Sequence, residues 1–439
     1  MEAQGDTIAA IATPGGQGGI GIVRVSGDQA KAIGLKLTGC NLEPRVARAT
    51  LFRDKHNQPI DKGIALFFES PASFTGEDIL ELQGHGGPMV LSSLLEAVLE
   101  RGARLARPGE FSERAFLNGK IDLAQAEAIA DLIASGSQAA ARGAMQSLVG
   151  VFSARVQRIA EGITALRTYV EASIDFSDEE IDFLSEGQVV NQLDVLGDLL
   201  RQLLEASKQG AMLRDGAKIA IIGEPNVGKS SLLNAFSGEG SAIVTDIPGT
   251  TRDTIVVSIV LDGLPLTMVD TAGIRETDDP IEMEGVRRAM DALGKANLVL
   301  HVTDISTSKK LEALSTETPT IFVENKVDLT KTVAGVTQDT ARVSARTGAG
   351  LDALKALMLK KIGFAENASG FIARQRHVEE LKHTSQHLDR ALVLAKGKEA
   401  GELIAEELKL AHQHLGEIVG ITTSDDLLGK IFESFCIGK

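Results

Sequence analysis

Residues 218–231, with the sequence KIAIIGEPNVGKSS, constrain the fold of this chain more than any other stretch. The apolar run at 219–222 predicts a buried parallel strand, and residues 223–230 fit the phosphate-binding pattern GxxxxGK(S/T). Glycines at this spacing let backbone N–H groups turn inward around a phosphate, at the positive end of the following helix. We expect Lys229 to supply charge for the outer phosphates and the Ser230 hydroxyl to bind Mg²⁺. A chance glycine-rich turn is the alternative, and the motifs further along the chain argue against it.

The strand pattern around this loop continues for about another 120 residues in a form typical of a doubly wound sheet. Asp270-Thr271-Ala272-Gly273 follows the third predicted strand, where an aspartate can hold Mg²⁺ through water and the glycine N–H can meet a γ-phosphate. The predicted strands lie at 218–222, 254–261, 265–269, 297–303, 319–324 and 341–344.

The base is indicated by Asn325-Lys326-Val327-Asp328, at the end of the next-to-last predicted strand. The Asp328 carboxylate can accept from two adjacent N–H donors on guanine, which adenine lacks, while the Lys326 stem covers one ring face. Asn325 can tie the neighbouring loops together. Residues 344–346 (Ser-Ala-Arg) resemble a loop whose backbone N–H contacts guanine O6. The order of these motifs predicts guanine-nucleotide binding.

The hydrolytic machinery differs from that of signalling GTPases, which place glutamine after Asp-Thr-Ala-Gly to orient water. Here Ile274 follows, and it can neither donate nor accept a hydrogen bond. Residues 245–253 are the predicted first switch, and Thr251 is the candidate second Mg²⁺ ligand. Carbonyls of this loop, with the Asn226 side chain, could hold a monovalent cation; alternatively Asn226 simply braces the switch.

The segments before and after this region have other patterns. Residues 6–120 predict a mixed α/β domain, with strands at 8–13, 20–26, 47–52, 62–68 and 78–82 and helices at 28–37 and 88–101. Helical periodicity predicts helices at 122–176, 188–213, 374–396, 401–419 and 425–436. The glycines at 15–19 could form a plain hairpin loop or admit a ligand, and His85 among glycines could be structural or ligand-binding.

The predicted fold class is therefore α/β plus all-α, with a doubly wound P-loop domain inserted into a helical domain. The predicted boundaries are 1–120 for the N-terminal α/β domain, 121–215 with 366–439 for the helical domain, and 216–365 for the insert.

Composition restricts the partners and the compartment. The 439 residues carry a formal charge of −15 and no stripe of Lys and Arg, so we expect this chain not to hold nucleic acid unaided. Two cysteines, Cys40 and Cys436, are too few for a disulfide framework, and no apolar run could span a bilayer. We therefore expect a cytoplasmic protein without membrane association.

The phosphate, switch and guanine motifs, together with five further segments, resemble the MnmE (TrmE) family of tRNA-modification GTPases in the TrmE-Era-EngA-like superfamily. These segments are GIVRVSG (21–27), ELQGHGG (81–87), RPGEFSERAFLN (107–118), DTAGIRET (270–277) and FCIGK (435–439). The resemblance covers essentially the whole chain, although the stretch between Asp304 and Ile321 is short for the family. It implies that the N-terminal domain binds a tetrahydrofolate and that the insert is a GTPase domain.

The resemblance also implies roles for individual residues. Lys229, Thr251 and Glu282 would be catalytic, with Glu282 orienting the attacking water through a second water. K⁺ would be bound by Asn226, Thr245, Ile247 and Thr250, and Mg²⁺ by Ser230 and Thr251. The folate, as the 5-formyl or 5,10-methylene derivative, would be held by Arg24, Glu81, Lys120 and Lys439. The GTP site would comprise Asn226, Val227, Gly228, Lys229, Ser230, Ser231, Thr245, Asp246, Ile247, Pro248, Gly249, Thr250, Thr251, Asp270, Thr271, Ala272, Gly273, Asn325, Lys326, Asp328, Ser344, Ala345 and Arg346.

By the same resemblance, the protein would work as a homodimer with an FAD- and NADH-binding partner, in a heterotetramer or larger complex that holds tRNA jointly. The reaction would add an aminomethyl or carboxymethylaminomethyl group to C5 of the wobble uridine, while GTP hydrolysis drives dimerisation and cycling of the G domains. Two alternatives are a ribosome-assembly GTPase, which usually carries a basic RNA-binding domain, and a folate-dependent aminomethyltransferase with a degenerate nucleotide domain. The acidic charge argues against the first, and the intact motifs argue against the second.

Overall fold

The computed structural model describes residues 5–175, 188–237, 256–270, 296–307, 318–365, 370–397, 401–422, 424–435 and 437–438. The chain divides into two compact units, the first formed by Met1–Ala130 and Lys409–Lys439 and the second by Asp131–Leu408. Among the described residues, no helix is both long and apolar enough to cross a membrane.

The strands, numbered in chain order, are β1 Ile8–Ile11, β2 Gly18–Ser26, β3 Arg48–Arg53, β4 Pro59–Phe68, β5 Ile79–Gly86, β6 Arg104–Leu105, β7 Ala217–Ile222, β8 Val256–Leu261, β9 Leu264–Asp270, β10 Leu298–Asp304, β11 Thr320–Asn325, β12 Gly335–Val336 and β13 Thr340–Arg342. The α-helices are α1 Ala30–Thr38, α2 Pro88–Leu99, α3 Glu110–Leu117, α4 Leu123–Ile133, α5 Gln138–Leu148, α6 Val151–Asp175, α7 Gln188–Asp215, α8 Lys229–Ser237, α9 Leu351–Ile362, α10 Gln375–Lys396, α11 Gly401–Val419 and α12 Asp425–Glu433.

The first unit contains a six-stranded sheet with the order β3-β4-β5-β2-β1-β6, antiparallel except where β1 meets β6. Alternation along β2 and β5 turns Val23, Val25, Leu80 and Leu82 into a core against which α1 and α2 pack. The residues between them therefore face the opposite side of the sheet. The register pairs Arg24 with Glu81 on that side.

The C-terminal segment of the first unit packs on α3 and α4. Phe432 and Phe435 form a cluster with Leu123. Gly109, at a φ of 67°, has no room for a side chain, since a Cβ there would lie 2.6 Å from the Phe432 carbonyl oxygen. A Cβ on Gly438 would clash with the end of β1, so Gly438 lies against that strand.

The second unit contains a seven-stranded sheet with the order β12-β13-β11-β10-β7-β9-β8. The five inner strands are parallel, and β8 and β12 add antiparallel edges. Because parallel strands end at a common edge, the motifs that follow β7, β11 and β13 meet there. In the same unit α7 packs against α5, α6 and α10, and it buries the predicted stripe Leu193, Leu196, Leu200 and Leu203.

The predicted fold class, α/β plus all-α with a P-loop domain, is confirmed. Among the strands and α-helices, β6, β12, α3 and α9 were not predicted. The strands β6 and β12 span two residues each, too short to show a period, and the eight-residue helix α3 carries a weak apolar pattern.

Candidate functional site

The phosphate loop connects β7 to α8, and its glycines have no room for side chains. Gly223 has a φ of 151°, and a Cβ there would clash with the carbonyl oxygen of Val302. Gly228 has a φ of 99°, and its Cβ would strike the side chain of Asn325. Both positions therefore require glycine on steric grounds. The helix begins at Lys229, so its N-terminal backbone N–H groups point into the loop.

Lys229 is 8% exposed, and its ammonium lies within the loop. Its Nζ donates to the carbonyl oxygens of Gly223 at 2.9 Å and Glu224 at 3.2 Å. These weak acceptors hold the positive charge over the loop backbone. The arrangement places a cation and a helix N-terminus at one point, which suits a phosphate.

Asn325 links the phosphate loop to the predicted guanine loop. It is 2% exposed; its Nδ2 donates to the Val227 carbonyl oxygen at 3.0 Å, and its Oδ1 accepts from the Ala345 N–H at 3.0 Å. One buried amide therefore fixes the spacing of three loops. The sequence predicted this tie, and the structure contains it.

Asp328 lies at the exposed side of the same edge. Its Oδ1 accepts from the Ser344 hydroxyl at 2.6 Å, and within the described part of the chain its Oδ2 receives no hydrogen bond. The carboxylate is thus oriented through one oxygen, while the other can accept from a ligand. Arg346, two residues after Ser344, is exposed.

Lys326 makes contacts that sequence reasoning did not foresee. Its Nζ donates to the Asn226 carbonyl oxygen at 2.8 Å and to Asp304 Oδ2 at 2.7 Å. Asp304 ends β10, the strand between β7 and β11. A carboxylate at the carboxyl end of a central parallel strand was the signal that could have identified it.

Several predicted site residues lie outside the described part of the chain. For Asp270 the backbone ends β9, and the side chain is among the parts not described. Also outside the described residues are the predicted beginning of β8 at 254–255 and the residues Thr245, Asp246, Ile247, Pro248, Gly249, Thr250, Thr251, Thr271, Ala272, Gly273, Ile274, Glu282, Cys436 and Lys439.

In the first unit, Arg24 and Glu81 form an ion pair on the sheet face opposite α1 and α2. Arg24 donates from Nε at 3.0 Å and from a terminal nitrogen at 2.9 Å, both to Glu81 Oε1. Its guanidinium lies 5.8 Å from the centre of the Phe111 ring. Within the described residues, Oε2 of Glu81 accepts no hydrogen bond. Lys120 Nζ donates to the Pro71 carbonyl oxygen at 2.9 Å.

Glu110 anchors the helix that carries Phe111. It is 2% exposed and accepts from Arg104 at 2.9 Å and from the Arg107 N–H at 2.7 Å. Burial alone would raise the pKa of Glu110, but these hydrogen bonds outweigh it and hold the pKa below its ordinary value. The carboxylate therefore stays charged and fixes α3 over the sheet.

His85, which the sequence left open, has a carboxylate partner. Its backbone N–H donates to Asp61 Oδ2 at 2.7 Å, and its Nδ1 lies 2.7 Å from Asp61 Oδ1. Gly84 is glycine because a Cβ there would lie 2.5 Å from Asp61 Oδ2. The ring is 72% exposed, so Asp61 orients an imidazole at the surface.

Comparisons with known proteins match both parts of the chain. A family model described as the GTP-binding protein TrmE N-terminus matches residues 7–120, and one described as the MnmE helical domain matches residues 123–436. The tRNA modification GTPases MnmE of three Coxiella burnetii strains are each 52% identical over 447 residues, covering 99% of this chain and 99% of the relative.

Two solved structures give partial matches. Era of Aquifex aeolicus bound to GDP.AlF4- is 25% identical, and the match covers 39% of this chain and 66% of the Era chain with a TM-score of 0.27. The G domain of T. maritima FeoB is 26% identical, and the match covers 33% of this chain and 98% of the FeoB domain with a TM-score of 0.26.

Proposed function

This chain belongs to the MnmE family of tRNA modification GTPases, and from that premise we propose that it is a potassium-stimulated GTP hydrolase that serves wobble-uridine modification. The observation that carries the nucleotide site is the buried Asn325 amide, which ties the phosphate loop to the loop at Ala345. Val227, which accepts from this amide, lies just before Lys229 and the start of α8, and Ala345, which donates to it, follows Ser344, the hydrogen-bond partner of Asp328. That spacing suits a nucleotide with phosphates at one end and guanine at the other.

We assign the nucleotide roles accordingly. The loop backbone and Lys229 would hold the phosphates, and Ser230 and Thr251 would hold Mg²⁺, which would supply positive charge to the phosphates. The free oxygen of Asp328 accepts from the guanine N–H groups, and the backbone near Ala345 contacts guanine O6. GTP is thereby selected over ATP.

Ile274 stands where signalling GTPases have the glutamine that orients the attacking water, so another group must orient the water here. We propose that Glu282 orients the attacking water and that K⁺ takes the place of an arginine finger. Asn226 would bind the K⁺ with oxygens of the 245–250 loop; it is exposed on the phosphate loop, at a φ of 66°. Water is excluded from this cation when two G domains meet, so GTP hydrolysis is coupled to dimerisation.

The N-terminal α/β domain would hold a 5-formyl- or 5,10-methylene-tetrahydrofolate, with Arg24, Glu81, Lys120 and Lys439 as its ligands. The donor set fits this group. Arg24 fixes Glu81 through Oε1, which leaves Oε2 to accept from the amine edge of a pterin. Lysine ammonium groups suit the glutamate tail. When bound, the folate supplies the one-carbon unit.

The remaining features complete the proposal. A chain with a net charge of −15 would share tRNA with an FAD- and NADH-binding partner, as a homodimer within a heterotetramer or larger assembly in the cytoplasm. The transferred group is aminomethyl or carboxymethylaminomethyl, at C5 of the wobble uridine. The domains are proposed at 1–120, at 121–215 with 366–439, and at 216–365.

Three measurements test this function. GTP turnover should rise steeply when K⁺ replaces Na⁺, and dimerisation with a transition-state mimic should require K⁺. Asn226→Ala should abolish both effects, and Glu282→Ala should slow hydrolysis about 10²–10³-fold while dimers still form. Equal turnover in Na⁺ and K⁺ would disprove the cation role. Separately, tRNA from cells lacking this chain should lack modified wobble uridines; normal nucleosides would end the modification assignment and leave the GTPase intact.

A further inference from the structure

Asp304 reaches the phosphate loop through a single side chain. It is 12% exposed at the end of β10, and its Oδ2 accepts from Lys326 Nζ at 2.7 Å. The same ammonium donates to the Asn226 carbonyl oxygen at 2.8 Å. A carboxylate on one strand, a lysine after the next strand and the backbone of the phosphate loop therefore form one continuous chain of charge-assisted hydrogen bonds.

Both residues that Asp304 influences have an unusual backbone. Asn226 has a φ of 66° and Lys326 a φ of 68°, in the left-handed backbone region that residues other than glycine rarely adopt. Such conformations persist where surrounding contacts hold them. For Asn226 the hydrogen bond from Lys326 is one such contact. It holds the backbone carbonyl of the same residue whose side chain is the proposed K⁺ ligand.

Position 304 needs a carboxylate because both of its neighbours, Ser306 and Lys326, donate hydrogen bonds, and a carboxylate has an acceptor oxygen for each of them. Asp304 Oδ1 accepts from the Ser306 N–H at 2.9 Å and from the Ser306 hydroxyl at 2.6 Å, while Oδ2 faces Lys326. An asparagine has one oxygen and one NH₂, so it would turn a donor toward either the Ser306 N–H or the Lys326 ammonium. The Lys326 ammonium, with the Ser306 contacts, holds the pKa of Asp304 below its ordinary value.

We propose that Asp304 is a positioning residue for GTP binding and hydrolysis, acting through Lys326 on the backbone of Asn226. It holds the Lys326 stem where a guanine ring would stack and holds Asn226 in the conformation that presents its side chain. The part concerning K⁺ rests on the proposed function above. The part concerning the base does not depend on K⁺.

The test compares Asp304→Asn with Asp339→Asn in the full-length chain. Asp339, just before β13, pairs with Lys361 of α9, so the control removes a more exposed Lys–Asp pair from the same unit. The measurements are the dissociation constant of fluorescent mant-GDP in Na⁺ and GTP turnover against K⁺ concentration. Loss of a charge-assisted hydrogen bond predicts that Asp304→Asn weakens mant-GDP binding about five- to tenfold. The K⁺ concentration for half-maximal turnover should rise by a similar factor, and Asp339→Asn should leave both within about twofold.

The outcomes separate this inference from the proposed function. If wild-type turnover does not respond to K⁺, the cation role is wrong, and Asp304 is judged by mant-GDP affinity alone. Unchanged affinity and unchanged K⁺ dependence in Asp304→Asn, with only a lower melting temperature like that of Asp339→Asn, would overturn the positioning role. Should Asp304→Asn fail to fold, Asp304→Glu keeps the charge but displaces it by one methylene, and it must shift the same two quantities in the same direction.

Discussion

Replacing Asn325 by alanine should separate the phosphate loop from the guanine loop. The change removes two hydrogen bonds, one to the Val227 carbonyl and one from the Ala345 N–H, each 3.0 Å long. Asn325 is 2% exposed, so both partners lose a buried interaction that water cannot easily replace. At about 1–3 kcal/mol for each buried group left unsatisfied, the predicted loss is about 2–6 kcal/mol of unfolding free energy.

A matched control is Asn297→Ala. Asn297 lies before β10 at the opposite edge of the same sheet, is exposed, and accepts one hydrogen bond from the Lys218 N–H at 2.8 Å. Because water can reach this site, we expect a loss of only about 0.5–1.5 kcal/mol. The two variants therefore compare the same substitution in buried and exposed surroundings.

The chain has no tryptophan, so amide hydrogen exchange with mass spectrometry is the suitable assay. Peptides from β7 and β11 should lose protection in Asn325→Ala far more than in Asn297→Ala. GDP at about 100 times its dissociation constant should restore about 2.7 kcal/mol. Equal protection in the two variants, within about 0.5 kcal/mol, would refute the assignment of Asn325 as the tie between the loops.

Three other changes give independent tests. Asp328→Asn should weaken guanine nucleotides about 100-fold and favour xanthine nucleotides, because the free acceptor becomes a mixed donor and acceptor; an unchanged guanosine affinity would remove Asp328 from the base site. Arg24→Ala should weaken formyl-tetrahydrofolate binding about tenfold by calorimetry while GTP affinity stays constant, since Glu81 loses both of its hydrogen bonds. Burial lowers the pKa of His301, so the unfolded chain binds its proton first, and stability should fall as pH drops below about 6.5. His301→Leu should reduce that loss in denaturation at pH 7 and pH 5; the same pH dependence in both proteins would count against this origin.

The meeting of Lys229 and Asn325 at one edge of the sheet was predictable because both residues follow strands of one parallel sheet. Buried apolar runs marked β7 and β11, and the rule that such strands end at one edge brought Lys229 and Asn325 together without knowledge of the strand order. The bond between Asn325 and the loop at Ala345 follows from the same rule.

The contacts of Asp304 and His85 could not be predicted in this way. Asp304 meets Lys326 because the register sets Asp304 opposite Asn325, and register between strands far apart in sequence leaves no local pattern. His85 meets Asp61 from the neighbouring strand for the same reason. The Arg24–Glu81 pair, 57 residues apart, was not predicted, because the family resemblance gave the two residues only as folate ligands; the antiparallel register explains the pair physically.

The second unit also shows how a change at the nucleotide could reach the helices. Helix α7 ends at Asp215 and continues through Gly216 directly into β7, the strand that carries the phosphate loop. Gln209 of α7 donates to the Gly363 carbonyl at 2.7 Å and accepts from the Ala365 N–H at 3.0 Å, which holds the end of α9. The Ser137 hydroxyl, at the N-terminus of α5, donates to the Gly263 carbonyl in the β8–β9 turn at 2.7 Å. Helices α5 and α7 are thus attached to the sheet at β7 and at the β8–β9 turn, and α7 is also attached to the segment that follows α9. A shift of β7 or of the β8–β9 turn during hydrolysis would therefore move the helices with it, because packed elements shift as rigid bodies.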